Sequence, residues 1–134
     1  MMSLQVFTYG YSLEIPVSFD EAVVKTRDVF QKQGFGVLSE IDVQAKMKEK
    51  IGKEMERYVI LGMCNPTLAA RALDVERNVG LLLPCNVIVR ETGSGVVVAA
   101  QKPSLFSTLV KHPEIELVAK EAEEKILTAL QSMI

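Results

Sequence analysis

The sequence predicts a single α+β domain built on an antiparallel sheet. Its 134 residues fit one domain, 1–134, and contain no linker or internal repeat. Apolar segments typical of strands and helices alternate in the order β-α-β-(α)-β-α-β-β-α. The segment at residues 92–95, Thr-Gly-Ser-Gly, is typical of a hairpin turn. Because a hairpin requires antiparallel pairing, this order favours an α+β fold over a doubly wound α/β fold.

The N-terminal part predicts a strand followed by a helix. A strand is expected over residues 5–14, and Pro16 ends it. Ser18 and Glu21 form a capping box, which starts a helix with one apolar face. Gly34 suits the left-handed position that ends this helix.

The middle of the chain predicts two strands, each followed by a helix. Residues 35–41 form a second strand, and apolar residues at four-residue spacing predict a short helix at residues 43–51. Residues 57–63 are nearly all apolar, which predicts a strand covered on both faces. Asn65 as the N-cap and Pro66 as the first helical residue then start a helix that extends to about residue 77.

The C-terminal part predicts a hairpin and a long helix. A long strand is expected at residues 80–91, with Pro84 marking an edge or a bulge. The return strand is expected at residues 96–101. The apolar stretch at residues 105–110 is interpreted either as a lid on the core or as a dimer contact. The last helix is expected at residues 113–133, where the apolar spacing strongly matches the helical period.

Two Cys-Asn steps are the most informative candidate for a functional site. Cys64-Asn65 joins an apolar strand to a helix, and Cys85-Asn86 lies inside the other predicted apolar strand. These are the only two cysteines of the chain. The four residues are interpreted either as two halves of one ligand site or as small buried residues with polar neighbours.

The position of Cys64 suggests a chemical role for its thiol. It precedes a helix, whose first N–H groups and dipole would favour a thiolate and lower the pKa from about 8.5. Cys64 would then be the nucleophile of a thiol-dependent redox or transfer enzyme. A reversible disulfide with Cys85 and a purely structural role are the other interpretations, because spacing alone does not show whether the Cα atoms lie within about 7 Å.

No cofactor or metal is expected. Structural zinc usually takes four Cys or His ligands, whereas this chain offers Cys64, Cys85 and a single histidine, His112. His112 directly precedes Pro113, so a cap or loop position is the simpler interpretation. The chain contains no Gly-x-Ser-x-Gly elbow and no dinucleotide fingerprint.

Charge and hydropathy exclude several other classes of protein. The net charge is -2, and the basic residues are dispersed among acidic ones, so no nucleic-acid partner is expected. No apolar run approaches the ~18 residues that a membrane span needs. No signal peptide is expected, which predicts a cytoplasmic protein with reduced thiols.

The central part of the chain resembles the family known as domain of unknown function 302. The residues that carry the resemblance are Tyr58-Val59-Ile60-Leu61-Gly62-Met63-Cys64-Asn65-Pro66, Leu68-Ala69, Ala72-Leu73 and Gly80-Leu81-Leu82-Leu83-Pro84-Cys85-Asn86-Val87. The resemblance implies a fold like that of the TATA-box-binding protein: a curved antiparallel sheet with a long C-terminal helix, often dimeric. The plan would be β-α-β(4)-α with two inserted helices. It implies no DNA binding and supplies no catalytic residue.

The sequence therefore predicts a small cytosolic binding module that forms a homodimer. It would hold a small molecule or a sulfur-containing group near Cys64, Asn65, Cys85 and Asn86. The alternatives are the thiol-dependent enzyme described above and a structural or interaction domain without a ligand.

Overall fold

One antiparallel sheet organises the protein, as a computed structural model that describes residues 3–134 shows. Residues 1 and 2 of the predicted domain lie outside the described residues. The strands are β1 (Gln5–Phe7), β2 (Gly10–Ile15), β3 (Gly36–Asp42), β4 (Tyr58–Cys64), β5 (Cys85–Glu91) and β6 (Val96–Gln101). The helices are α1 (Phe19–Gln31), α2 (Val43–Ile51), α3 (Pro66–Val75), α4 (Ser104–Leu109) and α5 (Pro113–Gln131). The strand order is β1-β2-β6-β5-β4-β3 with antiparallel pairing throughout, which confirms the predicted α+β class.

The main core lies between one face of the sheet and the helices α1 and α5. Alternate residues of a strand point to opposite faces, so every second residue of the central strands is buried. The buried apolar strand residues are Tyr11, Leu13, Ile15, Val59, Leu61, Met63, Cys85, Val87, Val89, Val96, Val98 and Ala100. Phe30 of α1 and Ile126 and Leu130 of α5 belong to the same cluster. The opposite face of these strands carries the half-buried Ser12, Ile60, Ile88 and Ala99.

The predicted helix boundaries are confirmed where the local signals were strong. The Ser18 hydroxyl accepts a hydrogen bond from the Glu21 amide at 3.2 Å, and Gly34 has φ of +85°. Gly52 has φ of +65° and ends α2. His112 caps α5, since its Nδ1 accepts from the Glu114 amide at 3.1 Å. These caps satisfy N–H groups that a helix start would otherwise leave without partners.

The prediction of one strand over residues 5–14 was wrong. The segment is a hairpin in which Gln5 pairs with Ser12 and Phe7 pairs with Gly10. Its two-residue turn, Thr8-Tyr9, lacks the Asn-Gly or Asp-Gly sequence that usually announces such a turn. Gly10 allows the close packing of Phe7, because a Cβ atom at Gly10 would lie 2.8 Å from the Phe7 ring.

The predicted strand over residues 80–91 begins too early. Residues Arg77–Leu82 form a 3₁₀ helix, and β5 begins at Cys85, after Pro84. The Glu76 side chain caps this turn by accepting from the Asn78 amide at 3.0 Å. Val79 is buried against α3 and α5 in a second, smaller core. The predicted helix before it also ends earlier, at Val75 rather than near residue 77.

The apolar stretch at residues 105–110 forms most of the short helix α4. This helix packs on α5. Helix α3 also packs on α5 and is tied to it by Arg71, whose guanidinium lies 2.7 Å from Glu114 and 2.8 Å from Glu121. In residues 3–134, no helix has both the length and the apolar character that crossing a bilayer requires.

Candidate functional site

The pairing of β4 with β5 brings the two Cys-Asn steps together. Met63 is opposite Cys85, and Gly62 is opposite Asn86. Cys64, the last residue of β4, therefore lies beside Cys85 at the same end of the sheet. Neither cysteine is bridged.

The same register separates Asn86 from the other three residues. Cys85 is 8% exposed on the helix-covered face, whereas Asn86 is exposed on the opposite face. Cys64 and Asn65 lie where β4 turns into α3, and they line the same space as Cys85. The structure thus groups Cys64, Asn65 and Cys85 and places Asn86 on the other side of the sheet.

The Asn65 side chain is already engaged with the backbone on both of its polar ends. Its Oδ1 accepts from the Leu68 amide at 3.3 Å, which caps α3 as predicted. Its Nδ2 donates to the carbonyl of Gln33 at 3.4 Å and lies close to Gly34, so it links the start of α3 to the end of α1. Asn65 therefore fixes the turn in which Cys64 lies.

A small apolar cavity lies beneath this turn. Its volume is about 50 Å³, and the sheet, α3, α4 and α5 form its walls. The lining includes Phe35, Met63, Cys64, Asn65, Leu68, Ala72, Val79, Cys85, Phe106 and Ala119. Room for one water molecule needs roughly 10–15 Å³ by this kind of measure, so the cavity is large enough for a group of a few heavy atoms.

Burial controls the electrostatics of both thiols. It raises the pKa of the Cys64 thiol above its ordinary value. It also raises the pKa of Cys85 to about 12, with a smaller contribution from the neighbouring Cys64. The lowered pKa expected for Cys64 at the start of a helix is therefore reversed, because loss of hydration opposes the charged form.

The described residues contain no group of three or more His, Cys, Asp or Glu side chains that could hold a metal ion. Cys64 and Cys85 share the cavity, but His112 uses Nδ1 to cap α5. The three-ligand alternative of Cys64, Cys85 and His112 therefore finds no support in residues 3–134.

A second concave region lies on the open face of the sheet, and the sequence interpretation missed it. This open-face cleft has a volume of about 540 Å³. Asn86, Ile88 and Arg90 of β5 contribute to its floor, and Phe7 and Tyr9 form a wall at one end. The two-residue spacing of residues 86, 88 and 90 places them on one face of β5. This spacing indicates an open cleft only when the helices are known to cover the opposite face.

These features define a small α+β domain with helices on one face of an open antiparallel sheet and an apolar cavity beneath the β4–α3 turn. The chain belongs to the family described as domain of unknown function DUF302, whose model matches residues 11–133. This confirms the resemblance seen in the central segments.

A solved structure shows the same fold. The crystal structure of an uncharacterized conserved DUF302 protein from Bacillus stearothermophilus is 26% identical and superposes with a TM-score of 0.87. The alignment covers 96% of this chain and 100% of that one. No curated protein matches the sequence.

Proposed function

We propose that this protein is a binding module that holds a small apolar or sulfur-containing group in the cavity beneath Cys64. The observation that carries the proposal is an apolar cavity of about 50 Å³ in which two thiols converge. Apolar cavities of this kind stay dry and accept small apolar ligands. Sulfur is polarizable and packs well against apolar and aromatic surfaces, here those of Phe35, Met63 and Phe106.

The size of the cavity limits what enters it. Pockets that enclose drug-sized ligands measure roughly 300–1,000 Å³. The cavity therefore suits one end of a molecule, such as a methylthio group or a short alkyl chain. The polar remainder would lie outside, past the half-buried Cys64.

The raised pKa values favour binding over nucleophilic catalysis. A thiol is a weak nucleophile until it loses its proton, and burial keeps both thiols protonated at neutral pH. The thiol-dependent enzyme with Cys64 as nucleophile is for this reason the weaker alternative. A domain without a ligand would leave the cavity with no role beyond imperfect packing.

Native mass spectrometry and NMR titration test this proposal. Gently purified protein should carry extra mass when its ligand is retained. Dimethyl sulfide, used as a probe, should shift the resonances of residues around the cavity. Ala119→Leu fills the cavity and should weaken this binding by at least about tenfold, with Ala69→Leu as a second filling variant.

Ala70→Leu is the matched control, because Ala70 is exposed on α3 and lies outside the cavity lining. It should bind dimethyl sulfide like the natural protein. The proposal would be contradicted if Ala119→Leu and Ala69→Leu bound dimethyl sulfide as tightly as Ala70→Leu. The absence of any resonance shift in the natural protein would also contradict it.

We also propose that the protein is a homodimer. Leu38, Ile41 and Ile51 are 69%, 45% and 70% exposed on β3 and α2, at one edge of the sheet. A two-fold contact would place the same apolar residues on both copies and cover them together.

A further inference from the structure

The open-face cleft differs from the cavity beneath Cys64 in location, size and chemistry. The two lie on opposite faces of the sheet. With a volume of about 540 Å³, the cleft falls in the range of small-molecule sites. Its lining combines an apolar floor, Ile88 and Ala99, with polar side chains that include Ser12 and Gln101.

Among the residues that the structure describes, Arg90 is the only charged side chain that lines this cleft. Within residues 3–134 it forms no ion pair, while Arg27, Arg57 and Arg71 all do. Glu14 is two strands away in the same cross-strand row, but its carboxylate accepts hydrogen bonds from Thr92 and Ser94 at the hairpin. No carboxylate of residues 3–134 pairs with Arg90, so its guanidinium is available to pair with an anionic group of a ligand.

Two polar side chains line the ends of the cleft. Tyr58 is the direct cross-strand neighbour of Arg90, and Asn86 lies four residues away on the same face of β5, at the Gly10 end. Among the described residues, neither the Tyr58 hydroxyl nor the Asn86 side-chain amide forms a hydrogen bond with another protein group. A guanidinium with a neighbouring hydroxyl is a strong arrangement for a carboxylate, because charge-assisted hydrogen bonds are about twice as strong as neutral ones.

The other end of the cleft is aromatic. The rings of Phe7 and Tyr9 pack edge to face with centroids 4.9 Å apart. Gly10 lets Phe7 lie directly on the strand. The rows that contain Gly10 and Arg90 are separated by four residues along the strand, or roughly 13 Å at 3.3 Å per residue. An aromatic surface and a single cation at this distance fit a ligand about two rings long.

We infer that the open-face cleft binds an elongated monocarboxylate with an aromatic body. The carboxylate pairs with Arg90 beside Tyr58, and the aromatic body lies over Ile88 and Ala99 toward Phe7 and Tyr9. The cleft and the cavity beneath Cys64 are independent sites.

Titration with biphenyl-4-carboxylate, followed by amide NMR, tests this inference, with biphenyl-4-carboxamide as the uncharged probe. The carboxylate should shift signals of residues that line the cleft and should bind more tightly than the amide. Arg90→Gln should weaken carboxylate binding by at least about tenfold and remove the preference over the amide. Arg77→Gln, an exposed arginine outside the cleft, should change neither.

Two further variants keep the test decisive. Ala99→Phe fills the floor of the cleft with a residue that strands favour, so it should abolish binding of both probes even if Arg90→Gln fails to fold. Ala119→Leu, which fills the other cavity, should leave carboxylate binding unchanged. These two variants therefore test binding in the open-face cleft separately from binding in the cavity beneath Cys64.

Three results would overturn the inference. The first is carboxylate binding that persists in Arg90→Gln with its preference intact. The second is a set of shifts confined to the cavity beneath Cys64. The third is a dimer in solution that covers the open face and admits neither probe.

Discussion

At Cys64, two physical effects act on one thiol in opposite directions. The start of α3 favours a thiolate, and this effect was visible in the sequence because Asn65-Pro66 marks the helix start. Burial favours the thiol, and it dominates the shift in pKa. Burial was not visible in the sequence, since it depends on α4 and α5 closing over the turn from more than thirty residues away.

The protonated state of Cys64 predicts slow alkylation. With iodoacetamide at pH 7, Cys64 should react more slowly than free cysteine, and its rate should keep rising with pH beyond the point where the rate of free cysteine levels off, because burial raises its pKa. Cys85 should stay unmodified until the protein unfolds, because its pKa is raised to about 12 and it is buried. Mass spectrometry of the natural protein and of Cys64→Ser assigns the label. Rapid labelling of Cys64 below pH 7 would restore the nucleophile hypothesis.

Among the secondary-structure elements, the sequence was informative where one local signal defined an end. The caps Ser18, Asn65 and His112 and the terminal Gly34 all lie where the local pattern predicted. The hairpin β1–β2 was missed because its turn has no glycine. The 3₁₀ helix was taken for a strand because a short apolar run does not distinguish a strand from a buried helical turn.

The close approach of β3 and Pro84 to β4 makes Gly62 a critical position. A Cβ atom there would clash with the Ser39 hydroxyl and would lie 2.8 Å from Cγ of Pro84. The serine can rotate, but the proline ring is rigid, so Gly62→Ala should lower the free energy of unfolding by about 1–3 kcal/mol.

Urea denaturation measures the effect of Gly62→Ala. The matched control is Gly36→Ala on β3, where no atom lies within 4 Å of an added Cβ. That variant should stay within about 0.5 kcal/mol of the natural protein. An equal loss of stability in both variants would show that strand glycines, rather than the contact with Pro84, determine the cost.

At the scale of the whole molecule, the apolar pattern of the sequence predicted the fold class, whereas the pairing register of the strands determined where the two candidate sites lie. The hairpin signal was enough to establish antiparallel pairing, and the C-terminal helix followed from its period. Cys85 and Asn86 lie on opposite faces because they are adjacent in β5. The sequence of residues 80–91 does not show which of these two faces the helices cover. The cavity and the cleft depend on contacts between distant elements, such as Phe7 on Gly10 and α4 on α5, which local sequence does not encode.

The proposed homodimer depends on the exposed apolar surface of β3 and α2, so substitutions on that surface test it. Sedimentation or light scattering should give twice the chain mass of 14.8 kDa. Ile41→Lys places a charge among the exposed apolar residues of β3 and α2, so it should shift the protein toward monomer. Leu81→Lys is the control, because Leu81 is 89% exposed on the 3₁₀ helix and should leave the mass unchanged. A natural protein that is monomeric at micromolar concentration would contradict the dimer. Equal dissociation by both variants would place the contact elsewhere than on β3 and α2.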